Sequence, residues 1–213
     1  LVRPRESTSD KRTYGHLFVV SGSRTMPGAV LMTVESALRS GAGLVTAFVP
    51  ESIAAAGATR APEAMWVPMP ETPAGGLALE GRGTVVARAA RCTALLIGPG
   101  LGRERETLAL VQELLRAIDV PTVLDADALQ PELATARGPE ASAARVLTPH
   151  AGELARLSGA EPVDPRALAR RLGAILVCKG PSTVVTAGGT LYLSPFGGPV
   201  LARGGSGDLL AGL

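Results

Sequence analysis

Apolar and polar residues alternate along this chain in blocks. Leu17–Val20 is a short apolar run closed by Ser21-Gly22-Ser23, and Val30, Leu31, Val34, Ala37 and Leu38 then recur at helical spacing until Gly41 and Gly43. Leu44–Val49 reads as the next strand, ended by Pro50, while the Pro/Gly-rich stretch Pro62–Gly76 reads as a surface excursion before a helix near Gly83–Arg91. Ala94–Ile97 is a buried strand running into Gly98-Pro99-Gly100-Leu101-Gly102, after which Leu108, Val111, Leu114, Leu115 and Ile118 mark a long amphipathic helix. Thr122–Leu124 leads to Asp125-Ala126-Asp127, and Arg145–Leu147 leads to Thr148-Pro149-His150 with a helix over Ala151–Leu157. Ile175–Cys178 ends in Lys179-Gly180-Pro181-Ser182-Thr183, and Val184–Thr186 with Leu191–Leu193 flanks Ala187-Gly188-Gly189 as a hairpin. The pattern predicts an α/β fold: a mostly parallel central sheet, helices on both faces and a late β-hairpin. In such sheets ligands bind beyond the carboxyl ends of the strands.

Composition narrows the choice of partner. The 213 residues suit one domain, 46% are apolar and only 3% aromatic, so the core must be aliphatic. Net charge is +2 with no basic stripe interleaved with aromatics, which argues against nucleic-acid binding and for small ligands. Lysine occurs only at Lys11 and Lys179. Cys92, Cys178, His16 and His150 lack metal-ligand spacing, so neither zinc nor a disulfide framework is expected. No apolar run approaches the ~18–20 residues of a membrane span, and a cytoplasmic protein without membrane contact is expected.

The chemistry concentrates at the strand ends and near the C-terminus. Gly204-Gly205-Ser206-Gly207-Asp208 precedes the apolar run Leu209-Leu210-Ala211. Glycines bring bare N–H groups close to a ligand and a helix N-terminus favours anions, so Gly205–Asp208 reads as an anion hole and Asp208 as a base for phosphoryl transfer. The same aspartate would equally serve as a helix cap. Gly98–Gly102 suits either ligand approach or a tight strand-to-helix turn. Asp125 and Asp127 point to opposite sides if the segment is extended, so one faces the pocket, where a carboxylate could hold Mg²⁺ through water or cap the next helix. His150 is placed either to contact a substrate or to act structurally, with Glu153 able to cap or pair. Lys179–Thr183 offers a lysine, two hydroxyls and a glycine suited to phosphate or ribose, or a plain exposed turn. Ser21–Ser23 and Pro27-Gly28-Ala29 form a further loop of small residues.

Taken in order, these motifs resemble the ADP/ATP-dependent NAD(P)H-hydrate dehydratase family of the ribokinase-like superfamily. The resemblance rests on Gly15–Ser23, Met26–Ala29, Ser40–Val45, Ile97–Gly102, Val123–Leu129, Val146–Glu153, Val177–Thr183 and Gly204–Gly212. It implies a ribokinase-like three-layer fold and a nucleotide-dependent dehydration that restores NAD(P)H from its (S)-hydrate, with Asp208 as base. By the same resemblance Ala29, Gly102, His150 and Asp208 would contact the hydrated dinucleotide. Lys179, Gly180, Pro181, Ser182, Thr183 and Gly207 would line the site for ADP or ATP, the phosphoryl donor, and Mg²⁺ is expected with Asp127 as its candidate ligand. A homo-oligomer and a separate epimerase for the other hydrate epimer are further implied. On this reading residues 1–213 form one dehydratase domain without an N-terminal epimerase domain and without the C-terminal helices of its relatives. The rival readings are a small-molecule kinase of the same superfamily, which would retain the phosphoester, and a nucleotide-binding sensor without turnover.

Overall fold

Apolar runs this short cannot stand alone, and they pair across the chain into one sheet. The computed structural model describes residues 5–213. The strands are β1 (His16–Val20), β2 (Leu44–Pro50), β3 (Met65–Met69), β4 (Ala94–Ile97), β5 (Thr122–Leu124), β6 (Arg145–Leu147), β7 (Ile175–Cys178), β8 (Thr183–Thr186) and β9 (Leu191–Ser194). They lie in the order β3-β2-β1-β4-β5-β6-β7-β8-β9, parallel as far as β7, with β8 and β9 added antiparallel. The expected α/β architecture and late hairpin are both present.

Side chains alternate between two cores, as the period of a strand demands. Val19, Val45, Ala47 and Leu96 pack with α1 (Pro27–Ser40), α2 (Glu51–Arg60) and Ala211 of α8 (Ser206–Gly212). Phe18, Phe48, Leu95, Ile97, Leu124, Leu147 and Leu176 pack on the other face with α3 (Arg82–Val86), α4 (Arg105–Ala117), α5 (Pro131–Thr135), α6 (Ala151–Ser158) and α7 (Pro165–Leu172). Val146, Ile175, Val177 and Val185 belong to neither core and are only partly buried.

The stretch from Pro62 to Gly76 is not a surface excursion. Met65–Met69 pairs in parallel register with Thr46–Pro50, and Met69 and Leu77 are fully buried. Pro68 disguises this strand, but β3 lies at the sheet edge, where a missing N–H costs no ladder bond. The helix expected near Gly83–Arg91 is shorter, running from Arg82 to Val86 between 3-10 turns at Leu79–Gly81 and Ala89–Arg91. Helix α7 was missed although its signals are plain: Asp164 accepts from the Arg166 amide, Pro165 opens the helix and left-handed Gly173 closes it. Helix α2 lacks a side-chain cap and has a weak apolar stripe, so packing against β3 and β2 decides it. Among the described residues no helix is long and apolar enough to cross a membrane.

Candidate active site

Six loops meet at the carboxyl edge of the parallel strands, and hydrogen bonds between them fix the floor. After β1, Ser21 Oγ donates to the Pro99 carbonyl at 2.5 Å and the Gly22 amide donates to the same oxygen at 2.9 Å. After β4, a Cβ on Gly98 would lie 1.8 Å from the Asp125 carbonyl, and φ of 136° is itself a glycine conformation. A Cβ on Gly100 would lie 2.8 Å from Ala29 Cβ, so Ala29 is pressed against this loop. Only Gly102 has open space on its Cβ side. Two of the three glycines thus serve close packing of the chain on itself, and the third leaves room for a ligand.

The two aspartates after β5 diverge, because Ala126 takes φ of 50° and the chain turns at once into a 3-10 helix. Asp125 Oδ1 accepts from Thr148 Oγ1 at 2.5 Å and from Lys179 Nζ at 2.8 Å, with its side chain only 2% exposed and that of Lys179 21% exposed. Asp127 instead accepts from the Gly102 amide and from Arg103 Nε, both at 3.0 Å. Asp127 therefore buttresses the glycine loop, while Asp125 faces the centre of the site. The resemblance names Asp127 as the candidate Mg²⁺ ligand; local sequence does not reveal the placement of Asp125, because its partners stand 23 and 54 residues away.

Helix α8 brings Gly207 and Asp208 over this pair. A Cβ on Gly207 would lie 3.4 Å from Lys179 Nζ and 4.0 Å from Asp125 Oδ2. No side chain caps α8, which leaves its first amides to a ligand, and Gly205 before it has φ of 87°. Asp208 is therefore not tied up as a cap. Burial first, and the charge of Asp125 second, raise its carboxyl above the ordinary value against the opposing pull of Lys179. A carboxylate made more basic in this way suits proton abstraction.

An isolated helix of seven residues is marginal in water, and α1 holds this one. Thr33 Oγ1 donates to the Asp208 carbonyl at 3.2 Å, Ser36 Oγ to Leu209 at 2.6 Å and Ser40 Oγ to Gly212 at 3.2 Å. Gly212 lets the two backbones approach, since a Cβ there would lie 2.3 Å from the Thr33 carbonyl. These three hydroxyls were not foreseen. Their signal is a polar stripe at helical spacing on α1, which is a recognisable docking face.

His150 sits at the same edge with a demonstrable structural role. It is the N-cap of α6: Nδ1 accepts from the amides of Gly152 at 3.0 Å and Glu153 at 3.3 Å, while Glu153 Oε2 accepts from the His150 amide at 2.8 Å. The side chain is nevertheless 60% exposed, with Nε2 3.3 Å from Glu153 Oε1. A parallel bridge joins His150 to Lys179, whose amide donates to Pro149 at 2.8 Å. Gly180, Pro181 and Ser182 are exposed, with Thr183 beginning β8. Ala29, Gly102, Asp127, His150, Lys179–Thr183 and Gly205–Asp208 therefore all lie along one edge of the sheet. Among the described residues no cluster of three or more His, Cys, Asp or Glu could cage a metal.

The chain as a whole is similar to known proteins. The family model for NAD(P)H-hydrate dehydratase matches residues 17–213. The chain is 40% identical, over 98% of its length and 41% of the relative's, to the bifunctional NAD(P)H-hydrate repair enzyme Nnr of Moorella thermoacetica. It is 37% identical to the ADP-dependent (S)-NAD(P)H-hydrate dehydratase of Xanthomonas campestris, covering 96% of this chain and 72% of that one. Against the bifunctional relatives it thus spans about two fifths of their length. Among solved structures, the ADP/ATP-dependent NAD(P)H-hydrate dehydratase of Bacillus subtilis, co-crystallized with ATP/Mg²⁺, superposes with a TM-score of 0.80 at 30% identity, over 99% of this chain and 74% of that one. A hydroxyethylthiazole kinase of Pyrococcus horikoshii, at 14% identity and a TM-score of 0.56, shares the fold alone. The chain belongs to the NAD(P)H-hydrate dehydratase family, within the ribokinase-like fold.

Proposed function

We propose that this chain catalyses the ADP- or ATP-dependent dehydration of the (S)-epimer of NAD(P)H hydrate back to NAD(P)H. The observation that carries the reading is the placement of Asp208, half-buried beside Lys179, Asp125 and the uncapped first turn of α8. The Asp208 carboxylate takes the proton from the C6 hydroxyl as that oxygen attacks the terminal phosphorus of the nucleotide, and the bond to the departing nucleotide breaks. Amides of Gly205–Asp208 and the Lys179 ammonium bear on the phosphoryl oxygens. The ring nitrogen then expels phosphate from C6, and loss of a proton from C5 restores the dihydronicotinamide. Ala29, Gly102 and His150 are assigned to the hydrated dinucleotide, and Lys179–Thr183 with Gly207 to the adenine nucleotide.

Magnesium would enter with the nucleotide, because it is commonly held by one or two carboxylates together with phosphates and water. The donor set fits that mode: Asp125 and Asp208 are electrostatic neighbours, whereas both oxygens of Asp127 already accept protein hydrogen bonds. Asp125 would therefore hold the ion in place of the expected Asp127, leaving Asp208 free as the base, and the ion would neutralise charge on the phosphates. The test is absorbance at 340 nm with chemically hydrated NADH, Mg²⁺ and ADP, ATP or no nucleotide. A nucleotide-dependent rise with release of phosphate supports the dehydratase. A phosphoester retained on the product would make the chain a kinase, and nucleotide binding without turnover would make it a sensor.

A further inference from the structure

The opposite edge of the sheet, where β1, β2 and β4 begin, is also hollowed. There a cavity of about 560 Å³ is lined by Lys11, Arg12, Arg91, His16, Leu44 and Met65, and none of its lining residues is acidic. That volume falls within the range of about 300–1,000 Å³ usual for small-molecule sites. Among the described residues, neither Lys11 nor Arg12 nor Arg91 has a carboxylate within salt-bridge distance. Three basic residues and no acidic one among the lining favour an anion over a cation at this cavity.

The wall that presents them is built rather than loose. Asp10 Oδ1 accepts from the amides of Arg12 at 2.7 Å and Thr13 at 3.3 Å, so this carboxylate is engaged by the backbone of the loop. Gly43 takes the loop so closely that a Cβ would lie 1.8 Å from the Lys11 carbonyl, and its amide donates to Tyr14 at 3.1 Å. On the floor, Thr93 Oγ1 accepts from the His16 amide at 2.7 Å, His16 Nε2 lies 2.7 Å from Thr46 Oγ1, and the ring stands edge-on to Phe18. Burial first and Arg91 second hold the imidazole below its ordinary value, so it is neutral at physiological pH and adds a flat, weakly polar surface. Met65, 42% exposed, and Leu44 complete an apolar side.

We infer that this cavity binds an organic phosphate ester, its phosphate among Lys11, Arg12 and Arg91 and its planar or apolar body against His16, Leu44 and Met65. The site is separate from the one built around Asp208 and does not depend on the reaction assigned there. Four methionines make it directly observable. Met65 lines the cavity, Met32 abuts Gly205 before α8, and Met69 is buried in the core. Methyl-labelled methionine NMR, at fixed ionic strength, is recorded with phenyl phosphate, inorganic phosphate and phenol. Phenyl phosphate is expected to shift Met65 saturably, with an affinity about tenfold above that of either fragment, as expected when a charge-assisted contact and apolar burial act together. The double variant Arg12→Glu/Arg91→Glu should lose that response while Met69 keeps its folded position; should it unfold, Arg12→Gln/Arg91→Gln takes its place. Asp208→Asn should leave the Met65 response intact. A stationary Met65, or a shift that survives loss of both arginine charges, overturns the site. Equal binding of inorganic phosphate and phenyl phosphate, or of phenol and phenyl phosphate, overturns the assignment to an organic ester.

Discussion

Replacing Gly212 by Ala tests whether the docking of α8 on α1 sets the geometry of the reaction. The new methyl would lie 2.3 Å from the Thr33 carbonyl oxygen and 2.8 Å from Ser36 Cβ, both on the facing helix. Restoring ordinary van der Waals separation moves the helices apart by roughly 1 Å. The hydroxyl bonds from Thr33, Ser36 and Ser40, now 2.6–3.2 Å, would then stretch beyond hydrogen-bonding distance. At about 0.5–1.5 kcal/mol for each of the three bonds, the loss is about 1.5–4.5 kcal/mol. For a domain of this size, at about 2–4 °C per kcal/mol, that lowers the melting temperature by about 3–18 °C. Displacing Asp208 and Gly207 by the same ~1 Å should lower kcat/KM about 10²-fold. The assay is recovery of absorbance at 340 nm from hydrated NADH, run beside a thermal melt. A variant that melts within 1 °C of the parent and retains activity within about twofold would show that α8 accommodates a side chain there, and would refute positioning by this contact.

Asp208→Asn should abolish turnover yet stabilise the fold at neutral pH. The raised pKa of Asp208 means that its contribution to stability is intact in acid and is lost as pH rises through the raised value; melts of parent and variant should therefore converge below about pH 4 and separate above it. Asp125→Asn removes the neighbouring charge that lifts Asp208, so the acid limb of the pH–kcat/KM profile should move to lower pH. Because Asp125 is also assigned to Mg²⁺, the same variant should weaken Mg²⁺-dependent nucleotide binding, read by calorimetric titration with and without Mg²⁺. His150→Ala removes the acceptor for two first-turn amides of α6 and should cost about 1 kcal/mol in a denaturant melt, with a further rise in KM for the hydrate if the exposed ring also contacts substrate.

The order of strands and turns determined the class of fold. Apolar runs such as Leu17–Val20, Ala94–Ile97 and Ile175–Cys178 can only be satisfied inside a sheet covered on both faces, and each ends in glycine or polar residues that mark the ligand-binding edge. Asp208 was equally legible as a candidate base, since its glycines and the apolar run behind it are local in sequence. What stayed hidden was decided between distant segments. Pro68 obscured β3 until an edge position made it tolerable, and α2 acquired its helix from the strands it packs against. The choice of Asp125 over Asp127 depended on a positive-φ residue between them and on partners supplied by β6 and β7. The hydroxyl stripe of α1 that anchors α8 likewise depends on the packing of two helices far apart in sequence. Local pattern fixes which residues must be buried and where the chain must turn, because those constraints act within a few residues. Which carboxylate meets the lysine, and what holds a short helix in place, are set by contacts that exist only once the sheet has formed.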